Sequence, residues 1–263
     1  MISYLTVGTA ALLVSGLTLY SGFGLGTLLM PVFALFFPVE LAVGATAVVH
    51  GANNVFKMAV VGRHADRSLI LRFGVPAILA AFAGAAVLVY LSEFHELASY
   101  SIGSRIAVIT PIKLVMGMLM LVFALFELLP VLRDLKFHSK YLFLGGMLSG
   151  FFGGLSGHQG ALRSAFLVKV GISTQAFVGT SAAIGFMVDM ARIGTYVLLF
   201  FAAKKAAPLG MDQWPLIVTG IFAAFTGVLM GKRFLHKVTM KTVQTLTGIL
   251  LLGIALLLGT GII

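Results

Sequence analysis

Polar and charged side chains recur at helical spacing inside two long apolar segments, and they are the residues of this sequence best equipped for chemistry. In segment 41–61 they fall at positions i, i+3, i+4 and i+7, which places them on one helix face. This first stripe consists of His50, Asn53, Asn54 and Lys57. Segment 174–202 carries the matching second stripe, which consists of Ser181, Gly185, Asp189, Arg192 and Tyr196.

The charges inside the apolar segments are mostly positive. Gln159 and Arg163 share a helix face at i and i+4, just after a glycine-rich sequence. The segments contain three cations, Lys57, Arg163 and Arg192, and one acid, Asp189. Ionisable groups inside apolar spans are costly and usually mark a binding site or a pathway. We therefore predict an anion site, in which Asp189 either tunes Arg192 or carries a coupling proton.

Each of these groups also has a purely structural interpretation. Asp189 and Arg192 can neutralise each other as a buried pair. Lys57 lies about one turn from the end of its segment, where a lysine can snorkel to the membrane surface. His158 is as readily a satisfied core histidine as a ligand contact. Sequence reasoning leaves these alternatives open.

The composition places these residues in a membrane protein. Hydrophobic residues make up 60% of the chain and charged residues 10%, with a mean hydropathy of +1.09. Soluble domains average about 25% charged residues. The net charge of +10 does not indicate nucleic-acid binding, because the cations lie in short loops between apolar segments. The absence of cysteine excludes disulfides and thiolate metal sites.

Charged and turn residues divide the chain into ten predicted helical segments. Two of them, 23–37 and 159–170, are too short to cross a membrane comfortably, because a membrane-spanning helix needs about 20 residues. They can be half-helices, tilted short spans or the second halves of broken helices, so the alternative is eight full spans. The ten segments are 3–20, 23–37, 41–61, 73–91, 109–129, 141–155, 159–170, 174–202, 214–231 and 242–262.

The loop cations predict how these segments are oriented. If every segment crosses, eleven Lys and Arg residues lie on one side and four on the other. Cytoplasmic loops are enriched in Lys and Arg. This asymmetry predicts ten crossings of a bacterial inner membrane with both termini extracytoplasmic. The cation-rich loops are those near 62–72, 130–140, 170 and 232–241.

The chain also repeats itself. The sequence SGFGLG at 21–26 is followed 135 residues later by SGHQGA at 156–161, and a second pair of similar sequences follows at the same offset. Five segments per copy is an odd number, so the two copies are predicted to be inverted relative to each other. Inverted repeats are usual in alternating-access carriers. The predicted repeats are residues 1–130 and 131–263.

The glycine-rich sequences predict breaks in two helices. Glycine destabilises a helix interior by about 1 kcal/mol, and non-helical backbone at membrane depth persists only inside protein or beside a wet cavity. A helix that restarts after such a break directs free N–H groups at an anion. The alternative is that these glycines only allow close helix packing. The residues predicted to bind the substrate are Ser21, Gly22, Gly24, His50, Asn53, Asn54, Lys57, Ser156, Gly157, His158, Gln159, Arg163 and Arg192.

These motifs resemble those of a known family. SGFGLGTLLMP at 21–31 and GFFGGLSGHQG at 150–160 are similar to the paired motifs of the TauE/SafE family, the sulfite exporters or 4-toluene sulfonate uptake permeases. The resemblance covers nearly the whole chain. It implies a carrier for sulfite, sulfonates or related sulfur-containing anions and organic acids. The second copy departs from the family pattern at His158-Gln159, and at Phe166, where the first copy has Pro31.

No nucleotide-binding motif is present, so an ion gradient is the expected energy source and no cofactor is expected. The expected partners are a small anionic substrate and the lipid bilayer, without nucleic acid, and a homodimer is left open.

Two other functions are consistent with isolated features. The sequence GLSG at 154–157 matches a pattern of rhomboid-like intramembrane serine proteases, but a serine nucleophile needs a base within hydrogen-bond reach, and the duplicated Ser21-Gly22 has no role in that interpretation. A cation or metal-ion carrier is disfavoured because its one acid would face three cations. Its ligands would be His50, Asn53, Asn54 and Asp189.

Overall fold

The computed structural model describes residues 1–19, 24–103, 105–133, 135–202, 211–234 and 240–263. Ten principal helices within these ranges match the ten predicted segments. They are α1 (Ile2–Leu17), α2 (Leu25–Ala34), α3 (Val39–Val61), α4 (Arg67–Leu91), α5 (Pro111–Leu128), α6 (Leu142–Ser156), α7 (Gly160–Leu167), α8 (Thr174–Ala202), α9 (Trp214–Phe234) and α10 (Met240–Gly259).

Short elements join the principal helices. One turn of 3-10 helix follows α3 at Gly62–His64, and another follows α7 at Val168–Val170. A third, Ser139–Tyr141, precedes α6. A short helix, Pro130–Arg133, follows α5. Between α4 and α5 the chain forms an antiparallel hairpin of β1 (Ala98–Ile102) and β2 (Arg105–Ile109), which the sequence analysis did not predict.

The helices are long and apolar enough for a membrane. Four of those within the described ranges meet both requirements by themselves: Arg67–Leu91, Pro111–Leu128, Thr174–Leu199 and Trp214–Gly231. Shorter apolar helices surround them. The prediction of an all-helical polytopic membrane protein is confirmed, with only the one small hairpin of strands in the described part of the chain.

Helices α6 and α7 form a hairpin that turns back inside the protein. Gly145 near the start of α6 lies against Phe166 near the end of α7, and the Ser149 hydroxyl donates to the Gln159 carbonyl across the hairpin at 2.9 Å. With 15 residues, α6 is about 22 Å long, less than the roughly 30 Å of a bilayer core. The hairpin therefore enters and leaves on the same side.

Helices α1 and α2 repeat this arrangement. Val7 of α1 and Phe33 of α2 both lie beside Gly220 of α9, so α2 runs back along α1. The structure thus has two helical hairpins in place of four of the ten predicted crossings. Each hairpin returns to the side from which it enters, so the predicted division of the loop cations between the two sides is unchanged.

The two halves of the chain, α1–α5 and α6–α10, exchange helices: the first helix of each half packs on the fourth helix of the other half. Helix α1 packs on α9, and its counterpart α6 packs on α4, while α3 pairs with its own counterpart α8 and α5 with α10. The last two pairs run antiparallel: His50 meets Asp189, and Asn54 meets Gly185. An antiparallel pairing of equivalent helices is what inverted copies produce. The division into repeats 1–130 and 131–263 stays a prediction.

The apolar core follows this exchange. One buried cluster joins α1, α2, α3 and α9, and a second joins α4, α6, α7 and α8. A third cluster, centred on α5 and α10, lies between them. Each bundle therefore contains helices from both halves of the sequence.

Candidate functional site

A fully buried carboxylate, Asp189 on α8, lies at the centre of the polar interior. Arg192, one turn later, donates to its Oδ1 through both Nε at 3.1 Å and a terminal nitrogen at 2.8 Å. His50 on α3 contacts its Oδ2 through Nδ1 at 2.7 Å. The two predicted stripes therefore meet where His50 of the first contacts Asp189 of the second, which is paired with Arg192 on its own helix.

Two amide side chains extend this network. Gln159, at the tip of the α6–α7 hairpin, donates to Oδ1 of Asp189 at 3.2 Å, and Asn54 donates to Oδ2 at 3.3 Å. The Oε1 atom of Gln159 accepts a hydrogen bond from Arg163 at 3.1 Å. Arg163 is thereby linked through Gln159 to the same carboxylate as Arg192.

The hydrogen bonds around Asp189 determine which ring nitrogen of His50 carries the hydrogen. A carboxylate oxygen accepts, so Nδ1 of His50 carries the hydrogen that it shares with Asp189. The Asn54 amide nitrogen, 3.2 Å from the same Nδ1, is also a donor and so bonds to the carboxylate rather than to the ring. The carboxylate thus fixes the ring orientation of His50.

The tip of the α6–α7 hairpin requires glycine. Gly157 has a φ of 82°, in the left-handed region that favours glycine. Its Cβ position lies 2.9 Å from a terminal nitrogen of Arg192, which donates to the Gly153 carbonyl at 3.3 Å. The backbone of the hairpin tip therefore packs directly against the Arg192 side chain.

The two hairpins meet at this point. A Cβ atom on Gly26, in the first turn of α2, would lie 3.3 Å from the Gly157 carbonyl and 3.4 Å from the His50 ring. Gly24, just before α2, has a φ of 119°, and a side chain there would collide with Thr18. The predicted site residues Ser21 and Gly22 lie outside the described residues.

His158 and Ser156 face away from Asp189, toward α5. The His158 ring stacks on Phe123 with 5.1 Å between centroids, and its Nδ1 lies 3.0 Å from the Ser156 hydroxyl and 3.1 Å from the Ser156 carbonyl. The Ser156 hydroxyl itself donates to the Phe152 carbonyl at 3.0 Å. Nδ1 of His158 therefore carries the proton, and its Nε2, buried and without a partner among the described residues, is a bare acceptor.

Lys57 and Asn53 complete the first stripe. Lys57 is only 6% exposed and close enough to Arg163 for the two cations to repel, so it does not snorkel to the surface. Asn53 accepts a hydrogen bond from Ser15 of α1 at 3.0 Å, and its amide nitrogen has no partner in the described structure. Asn53 thus faces the first hairpin rather than the Asp189 network.

The structure brings together most of the predicted site. Around the hairpin tips, three buried cations surround one carboxylate, an excess of two positive charges (three minus one) if the histidines are neutral. The residues gathered there are His50, Asn54, Lys57, Gly157, Gln159, Arg163, Asp189 and Arg192.

Sequence analysis missed a second buried acid, Glu127 on α5, which is 1% exposed. The described helices therefore contain two buried acids, Asp189 and Glu127, where the sequence analysis counted one. The available signal was periodicity, because Glu127 shares a helix face with Met116, Met120 and Phe123, all of which are buried.

A cavity of about 250 Å³ lies beside the first hairpin, between the end of α3, the start of α8 and α9. It borders the first break at Leu19, and its wall contains none of the predicted site residues that lie in the described ranges. Its polar lining comes from Arg63, His64, Thr174 and Gln175.

The geometry bears on the two other functions. Ser156 is fully buried and its hydroxyl donates a hydrogen bond to a backbone carbonyl, unlike a serine activated by a base. The Asp189 oxygens face N–H donors from Arg192, Asn54 and Gln159, which would repel a metal ion. No group of three His, Cys, Asp or Glu residues is placed to hold a metal within the described ranges.

Comparison with known proteins agrees with this architecture. No individual curated protein gives a significant match. The family model described as "Sulfite exporter TauE/SafE" matches residues 4–258 of the 263. Because this match covers nearly the whole chain, including both hairpins and the Asp189 network, the protein belongs to the TauE/SafE family of membrane transporters.

Proposed function

We propose that this protein is a gradient-driven secondary transporter of sulfite, organosulfonates or related small organic anions, with its binding site between the two hairpin tips. The observation that carries the proposal is the excess of buried positive charge where these tips meet. A buried charge without a counter-ion is costly, so a mobile anion would stabilise this arrangement.

The backbone adds to the attraction that the cationic side chains exert on an anion. Helix α7 begins at Gly160 and α2 at Leu25, both directly after a hairpin tip. The N-terminal ends of these helices therefore point toward the meeting point of the tips, and helix N-termini favour anions. Half-helices that end at the bilayer middle are the usual form of such sites in carriers.

The side chains divide the work of binding. Arg163 and Arg192 supply directional hydrogen bonds, since a planar guanidinium can meet two oxygens of a sulfonate or sulfite at once. Lys57 adds a less directional positive charge. Asp189 holds Arg192 through two hydrogen bonds and orients His50, so the geometry favours tuning of Arg192 over proton carriage as its role.

The helix exchange offers a route for alternating access. The first hairpin belongs to the bundle with α3 and α9, and the second to the bundle with α4 and α8. A movement of one bundle against the other would open the tips to one side and then to the other. Such rocking around a fixed central site is typical of inverted-repeat carriers.

Counterflow in proteoliposomes tests this function directly. Vesicles preloaded with unlabelled sulfite should take up labelled sulfite by exchange, and sulfonates should compete. Sulfate and a labelled divalent metal ion serve as comparison substrates in the same vesicles. Exchange of the metal ion but of none of the sulfur anions would contradict the proposal and favour the cation-carrier alternative.

A further inference from the structure

Glu127 is a buried acid that the proposed binding site does not use. It lies in the last turn of α5 and is 1% exposed. Neither of its carboxyl oxygens makes a hydrogen bond to any residue that the structure describes. An acid in this state needs a physical explanation, because buried carboxylates normally have a counter-charge or several donors.

Helix α10 packs directly against Glu127. Its Cβ lies against Gly248 of α10, at 3.2 Å from the position that a Cβ atom there would take. The Gln244 amide on α10 is the nearest polar group, although it does not meet the distance and angle of a full hydrogen bond, and the charge of Arg133 acts on the carboxyl group from farther away. The charged or titratable groups described on the elements around this end of α5 are Arg133 after α5, Lys241 at the start of α10, and His158 at the hairpin tip.

Burial without a partner favours the neutral form of an acid. Asp189 differs from Glu127, because its two oxygens are surrounded by hydrogen-bonding groups from Arg192, His50, Asn54 and Gln159. Of the two buried acids that the structure describes, Glu127 is the one whose carboxyl oxygens have no hydrogen-bond donors.

The position of Glu127 connects the membrane surface with the binding site. It lies in the last turn of α5, before the cation-rich loop that begins with Pro130–Arg133. Phe123 lies one turn earlier on the same face and stacks on His158 at the hairpin tip. Glu127 also lies in the α5–α10 interface between the two helix bundles. A change in the charge of Glu127 would therefore affect the packing next to the tip of the α6–α7 hairpin and the packing between the two helix bundles.

We propose that Glu127 is the proton-binding site that couples anion movement to a proton gradient. The proposal rests on the transport function proposed above. In this scheme Glu127 takes up a proton from the cation-rich side while the bundles are in one arrangement. It releases that proton when their relative movement gives the carboxylate water or a counter-charge. The anion and the proton are bound at separate places.

The test compares three proteins in proteoliposomes: the parent, Glu127→Gln and, as a matched control, Glu96→Gln, which removes an exposed acid. Glu127→Gln keeps the size of the side chain but cannot release a proton. It should retain sulfite counterflow within about twofold and lose accumulation driven by a pH gradient. In the parent and the control, one coupled proton corresponds to at most about tenfold accumulation per pH unit.

Infrared difference spectroscopy gives an independent readout that does not need transport. The parent and Glu96→Gln should show the carbonyl band of a buried, protonated carboxylic acid, Glu127→Gln should lack it, and Glu127→Asp should shift it. Undiminished pH-driven accumulation by Glu127→Gln, or an unchanged band in that variant, would overturn the proposal. Failure of the parent to exchange sulfite or any tested sulfonate would count against the transport function instead, while the infrared band would still decide whether Glu127 holds a proton.

Discussion

Gly157 and Arg192 occupy adjoining parts of one space: a terminal nitrogen of the guanidinium lies 2.9 Å from the position that a Cβ atom on residue 157 would take. The hairpin tip and the arginine are therefore adjusted to each other. The left-handed backbone of Gly157, with its φ of 82°, makes the same position unfavourable for any other residue.

Gly157→Ala should displace the Arg192 guanidinium and weaken anion binding. Gly171→Ala is a matched control, because Gly171 has a similar φ of 80° with nothing within 4 Å of its Cβ position. Both variants should lose about 1–3 kcal/mol of stability to backbone strain. In sulfite-binding titrations only Gly157→Ala should raise the Kd. Equal affinities in the two variants would show that Arg192 does not contact the anion.

Arg163 and Arg192 should respond to substitution in a graded way. Lysine keeps the charge and loses the bidentate geometry, so Arg→Lys should weaken anion binding and Arg→Gln should weaken it further. A charge-assisted hydrogen bond contributes about 1.5–3 kcal/mol, so each Arg→Gln change should raise the Kd about ten- to a hundredfold. Lys169→Gln, an exposed cation at the end of the same hairpin, should have no effect.

If Arg163→Gln and Arg192→Gln proteins insert normally and bind sulfite like the parent, the anion is held by backbone N–H groups and hydroxyls. The two arginines would then be structural.

Asp189→Asn should leave Arg192 buried without its counter-charge. Breaking one partner of a buried ion pair costs about 3–5 kcal/mol, so the variant should unfold at a lower temperature at every pH tested. The double variant Asp189→Asn/Arg192→Gln should recover part of that loss. If Asp189→Asn keeps full stability and sulfite exchange and loses only pH-driven accumulation, then Asp189 carries the coupling proton and Glu127 does not.

Single cysteines can test the predicted orientation, because the chain contains none. Cysteines at residues 2 and 263 should react with a membrane-impermeant reagent in intact cells, and a cysteine at residue 135 should react only after the cells are opened. This outcome follows from the excess of cations in the loops on one side. Labelling of residue 263 only in opened cells would contradict the proposed arrangement of the hairpins.

The sequence predicted the helical segments well, because long apolar runs bounded by charged residues leave few alternatives in a membrane. It also placed His50 and Asp189 on polar stripes with helical spacing, but it did not predict that the two side chains contact each other. The return of α7 along α6 was not predictable, because periodicity reports that a helix exists but not which way it runs after a glycine break. Glu127 was missed although its helical spacing places it on the buried face of α5.

The exchange of helices between the halves has a consequence for the origin of the chain. Gly146, Gly150 and Gly154 of α6 allow close contact with the α4 backbone, and Gly227 and Gly231 of α9 allow the same contact with α1. A single copy folded alone would leave its first and fourth helices without these partners. An ancestor with one copy could bury both surfaces only by pairing with a second, oppositely inserted molecule. Gene fusion would then have joined two subunits that were already intertwined.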